Sequence, residues 1–161
     1  MSSDGNGSEN SPEIRALEKM KHDVGKWDCR WEFLDDDEAV SANVEGTQTM
    51  SFVIEDSVMQ VFMDVPEMAT QSVTHRFFDP IRQKLFWNSV DNQGEQWSFV
   101  EELDGKPSYS LPHLDSEGVT TFLRFSLLRE TPDEVDVLME MSLDEKAWKP
   151  IFRQYRIRRL G

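Results

Sequence analysis

The stretch Gly25-Lys26-Trp27-Asp28-Cys29-Arg30-Trp31-Glu32-Phe33 decides the fold. Trp27, Cys29, Trp31 and Phe33 alternate with Asp28, Arg30 and Glu32, which is the two-residue period of a half-buried strand. Upstream the period is helical. Ser11-Pro12 supplies an N-cap followed by proline at the first helical position, Ile14, Leu17 and Met20 recur at three-residue spacing, and Gly25 ends the run. A helix of two to three turns is expected there, lying across one end of whatever the strands build and burying Ile14, Leu17 and Met20. Residues 1–10 are polar and small, and an unstructured tail is expected before a single domain over 11–161.

Downstream the two-residue period repeats. Strands are expected through Val44, Gly46, Gln48, Met50 and Phe52, then Val58 to Met63, then Val73, His75 and Phe77, ending at Asp79-Pro80. Leu85, Trp87 and Ser89 follow, then Trp97, Phe99 and Val100, and a short irregular strand from Tyr109 to His113 flanked by Pro107 and Pro112. Val119 to Leu127, Val135 to Leu143 and Ile151 to Leu160 complete the series. Short turns, among them Asn92-Gln93-Gly94 and Asp104-Gly105, join sequence neighbours. About ten strands in an up-and-down meander lose their open edges only by closing, so the fold class is all-β: one closed antiparallel barrel with a short N-terminal helix over one end.

Composition bounds the function. The 161 residues can bury roughly 70% of the unfolded chain's surface as one domain. A net charge of −14 repels phosphate backbones and anionic head groups, which argues against nucleic-acid and membrane partners. Cys29 is the sole cysteine, so neither an intramolecular disulfide nor a cysteine zinc cluster can form. Its place between Trp27 and Trp31 makes it a small core residue. With no apolar leader at Met1 to Asn10, a cytoplasmic protein is expected. Three scattered histidines offer no metal-ligand spacing, and Asp35-Asp36-Asp37-Glu38 lacks the glycine and distal glutamate of a calcium loop, so no metal and no cofactor is expected.

Gly25-Lys26-Trp27 after a short helix resembles the lipocalin or calycin signature. With Phe78-Asp79-Pro80, Trp87, Gly94 and Tyr155-Arg156-Ile157, most of residues 15–160 is similar to the lipocalin-like family catalogued as domain of unknown function fifteen seventy-nine. The resemblance implies that Trp27 plugs the barrel floor and that a late arginine, Arg156 or Arg158, packs over it; it implies no activity. Haem-binding nitrobindins begin similarly but take an iron ligand from a late histidine, and His22, His75 and His113 all precede the last three strands.

Phase then selects site residues. Trp87, Trp97, Phe99, Met139, Met141, Arg153 and Tyr155 are expected to line the interior, a suitable wall for a small apolar or amphipathic molecule whose polar end is held by His75, Tyr155 or Arg153. His75 shares the phase of Val73 and Phe77. It is either a desolvated general base, making the chain a cyclase, isomerase or decarboxylase, or a packing residue bonded to a neighbouring strand. A third reading is an interaction protein with a filled barrel and an acidic surface. Phe78, Phe86 and Phe152 are assigned outward, where they would serve a homodimer interface.

Overall fold

The computed structural model describes residues 11–160; the expected tail at 1–10 lies outside them. Helix α1 (Pro12–Asp23) starts at Ser11, whose hydroxyl accepts a hydrogen bond from the Ile14 amide at 3.3 Å. The strands are β1 (Gly25–Leu34), β2 (Val40–Ile54), β3 (Val58–Val65), β4 (Thr70–Asp79), β5 (Lys84–Asp91), β6 (Gln96–Glu101), β7 (Ser108–Ser110), β8 (His113–Leu114), β9 (Thr120–Glu130), β10 (Glu134–Ser142) and β11 (Lys149–Arg158). All pairings are antiparallel. Ten strands form the ring, sequential from β1 to β7, then β9, β10 and β11, with β11 returning to pair with β1. Segment β8 also pairs with β9, so β7 and β8 are two pieces of the irregular seventh strand, broken at Leu111-Pro112. Among the described residues no helix is long and apolar enough to cross a membrane.

Helix α1 buries Ala16, Met20 and Asp23, one turn apart on one face, while Leu17 is partly covered. Ile14 is only half-buried. In β1, Trp27, Cys29 and Trp31 are buried and Phe33 packs behind them against Phe152 at 5.7 Å between ring centroids. Strand β2 passes closely at Gly46, where a Cβ would lie 2.4 Å from the Asp64 carbonyl oxygen and 3.0 Å from the Trp31 ring. Only glycine lets β2 and β3 curl this tightly around the indole.

Phase is correctly predicted in β1, β2, β5, β6 and β10 and shifted by one residue in two strands. In β4 Ser72, Thr74, Arg76 and Phe78 turn inward, so Val73, His75 and Phe77 face out, and Asp79 is buried only at the strand end where the turn begins. In β11 Phe152, Gln154 and Arg156 face in, and Arg153, Tyr155 and Ile157 face out. Phe78 and Phe152 are therefore core residues, not dimer-surface ones. Phe86 keeps its outward assignment, packed on Phe77 at 5.7 Å.

Candidate functional site

Trp27 is buried next to the end of α1. Its Nε1 donates to the Asp23 carbonyl at 2.8 Å, and the Arg158 guanidinium lies 4.2 Å from the indole centroid, with that of Arg156 at 5.6 Å. Arg158 also donates to the carbonyl oxygens of Val24, at 2.6 Å, and Pro132, at 3.1 Å, and to that of His22. Gly25 makes room for it: φ is +136° there, and a Cβ would come within 2.9 Å of Arg158 Nη1.

Beside this corner sits a buried ionic cluster. Arg76 on β4 makes a bidentate pair with Glu101 on β6, with contacts of 2.6–2.9 Å, and its Nη1 donates to Asp23 Oδ2 at 2.6 Å. Asp23 is 1% exposed, Arg76 6% and Glu101 7%, so the end of α1 is tied to two strands through a desolvated network. Burial opposes the charge on Asp23, but Arg76, Arg156 and Lys19 outweigh it and hold the carboxyl well below its ordinary value of 3.8. Burial likewise opposes the Arg76 charge, and Glu101 and Asp23 outweigh it. For Cys29 desolvation outweighs the lowering influence of Arg156 and of the Gln48 backbone and pushes the thiol up to about 12.

A cavity of about 570 Å³ occupies the barrel interior, with this cluster and α1 in its wall. Met50, Val61, Trp87, Phe125, Leu127, Val137 and Met139 give it an apolar wall; Gln48, Thr74, Arg76, Glu101, Gln154 and Arg156 give it polar ones. The exposed residues Arg15 and Glu18 of α1, Gly105 and Lys106 of the β6–β7 turn and Glu130 of β9 also line it, so the cavity opens to solvent there. Trp87 stacks on Phe99 with centroids 4.1 Å apart and planes 11° apart, and Phe125 abuts both, making one wall a rigid aromatic plate.

The predicted residues divide accordingly. Trp87 and Met139 line the cavity, and Phe99, buried, backs it. Trp97 shares their phase but lies in a separate loop-lined depression of about 730 Å³, stacked on His113 at 3.8 Å. Met141 is half-buried beside Leu123, beyond the cavity lining. Three assignments are corrected. His75 is exposed, its Nε2 3.3 Å from Gln60 Oε1, which removes it as a general base inside the barrel. Arg153 is exposed. Tyr155 lies on the outer face, under the Arg30 guanidinium and donating to Glu32 at 3.2 Å. Arg124 is outside as its phase requires, paired with Glu140 at 2.9 Å.

Sequence reasoning missed Asp23, Arg76 and Glu101. Two had a signal: Glu101 continues the inward phase of Trp97 and Phe99, and Asp23 follows Ala16 and Met20 on one helix face. Arg76 had none, because its neighbours Val73 and Phe77 are apolar and point the other way. His22, Asp23 and Glu130 bring possible cation ligands within 4.8 Å of one another. Each is already engaged: Asp23 by Arg76, Glu130 by Lys19 at 3.2 Å, and both His22 ring nitrogens by Asp23 and the Thr131 carbonyl. A cation would have to displace two ion pairs.

No protein-family model matches the chain, and no curated protein matches it. Among solved structures it is similar to a de novo designed fluorescence-activating β-barrel, at 12% identity and a TM-score of 0.47, over 87% of this chain and 96% of that one.

Proposed function

We propose that the protein is a carrier that holds a small, largely apolar molecule inside its barrel. The observation that carries this reading is the cavity of about 570 Å³, within the range of small-molecule sites and walled on one side by Trp87, Phe125, Met50 and Met139. Thioether and aromatic side chains adapt to irregular apolar shapes, and the stacked Trp87–Phe99 plate offers a flat surface to a ring. The same cavity counts against a filled barrel acting only through its acidic exterior. The Gly25 corner, with Arg158 over Trp27, supports placing the chain among lipocalin-like barrels.

Native mass spectrometry of gently purified protein, compared with its denatured mass, tests the carrier reading. The expected result is an added mass of a few hundred daltons that disappears on denaturation. A bare native mass, together with no fluorescence enhancement of N-phenyl-1-naphthylamine by the protein, would overturn it.

A further inference from the structure

Three arginines meet at the barrel's inner corner, and they are satisfied to very different degrees. Arg76 has two carboxylates, and Arg158 has three carbonyl oxygens and Asp133 at 3.5 Å. Arg156 has neither. Its sole protein hydrogen bond among the described residues is Nη1 to Gln48 Oε1, at a long 3.4 Å, and its Nε is buried with no partner at all. A guanidinium presents five donors, and leaving the buried Nε without an acceptor is costly. Gln154, on the same strand and also lining the cavity, makes no side-chain hydrogen bond among the described residues. The cavity thus has an apolar body and, at one place, an underused cation flanked by two amides.

We propose that Arg156, with Gln48 and Gln154 beside it, is the head-group subsite of the cavity, and that the ligand is a monoanionic amphipath: a carboxylate or sulfonate on an apolar chain or ring system. This rests on the carrier reading above and adds the charge of the ligand to it. A planar anion with two oxygens matches the fork geometry of a guanidinium, taking bonds from its two terminal nitrogens in parallel. The ring of Trp27 under Arg156 limits the orientations of the fork. The amides of Gln48 and Gln154 supply further donors for the remaining lone pairs. The apolar remainder then extends along Met50, Trp87 and Met139. Because the whole chain carries −14, preference for an anion cannot come from the overall field of the protein and has to arise at a local cation.

The test is fluorescence titration of the full chain with two probes of nearly the same skeleton, 1-anilinonaphthalene-8-sulfonate and uncharged N-phenyl-1-naphthylamine. The unaltered protein should bind the sulfonate at least about tenfold more tightly, the usual weight of a charge-assisted hydrogen bond. Arg156→Met should bring the two affinities within about twofold by weakening only the sulfonate, and Arg156→Lys should lie between. An unchanged ratio in Arg156→Met, with N-phenyl-1-naphthylamine still bound, overturns the head-group assignment and leaves the carrier reading intact; failure of both probes to bind the unaltered protein overturns both. Should the variants fail to fold, displacement of N-phenyl-1-naphthylamine from the unaltered protein decides the question. Dodecanoate displacing it at about tenfold lower concentration than dodecan-1-ol supports the subsite, and equal displacement overturns it.

Discussion

Strands β1 and β11 run side by side, paired from Trp27–Arg158 to Phe33–Phe152, yet they turn opposite chemistries to the interior. From β1 come Trp27, Cys29, Trp31 and Phe33. From β11 come Phe152, Gln154, Arg156 and Arg158. The first strand obeys the rule that apolar side chains go inside. The second reverses it over most of its length, with Tyr155 and Ile157 outside. A polar inner face is stable only where each group finds a partner, and β11 shows the full range: Arg158 is saturated by backbone carbonyls, while Arg156 is nearly unmatched. The difference teaches that two paired strands can divide the interior between them: β1 packs it, and β11 brings hydrogen-bonding side chains to it.

The comparison can be broken from the β1 side. Trp27→Ala removes the buried indole on which Arg156 and Arg158 both rest, and urea denaturation should show a loss of about 3–5 kcal/mol. Arg76→Met should cost about as much at pH 7, roughly 3–4 kcal/mol, because Asp23 and Glu101 stay buried without their cation.

The second effect has a pH signature. The Asp23 carboxyl is lowered in the folded state, so its contribution is complete above the ordinary value of 3.8 and declines as pH falls toward the lower folded value. The unaltered protein should therefore lose stability between about pH 4 and 2, and Arg76→Met should lose much less over the same interval. Parallel curves for the two proteins would show that the network does not set the acid limit.

Arg156→Met sharpens the contrast within β11. Arg156 has no carboxylate within ion-pair distance and acts on Asp23 only from farther off, so its removal should cost ligand-free protein about 1 kcal/mol, far less than Arg76→Met. A loss as large as that of Arg76→Met would mean that Arg156 is already satisfied by the protein. On the β1 side, Cys29, with its thiol pushed up to about 12, should resist 5,5′-dithiobis(2-nitrobenzoate) at pH 8 until the protein is unfolded. The smallest effect belongs to the outer face: His75→Gln and Tyr155→Phe should each alter stability and probe affinity by no more than about 0.5 kcal/mol.

The strands and the capped helix were legible because they depend on local chemistry, Ser11-Pro12 at the helix start and strict alternation through β1, while the Gly25 corner was expected only through the resemblance carried by Gly25-Lys26-Trp27. The cavity wall was legible at Trp87 and Met139, where apolar and inward coincide. It was illegible in β4 and β11. In β4 the outward positions are apolar because they pair across the barrel's outer surface, Val58 with Phe77 and Phe77 with Phe86, Phe62 with Val73 and Val73 with Val90, whereas in β11 the outward Tyr155 and Ile157 lie opposite Arg30 and Asp28 of β1. Hydrophobicity therefore pointed to the wrong face. The charges on the inner face are recognisable only through partners far away in sequence: Asp23, Arg76 and Glu101 come from three separate elements, and no local pattern records that they meet.

The pairing of β11 with β1 also has a consequence in time. The bond from Arg158 to the Val24 carbonyl spans 134 residues of sequence, so the first strand waits for the last before the ring can shut. Until then β1 and β10 each present an unpaired edge. Such a topology makes closure a late, slow event governed by long-range encounter. Without β11 those two edges are open to pairing with other chains, so the last strand to be made is the one that removes both.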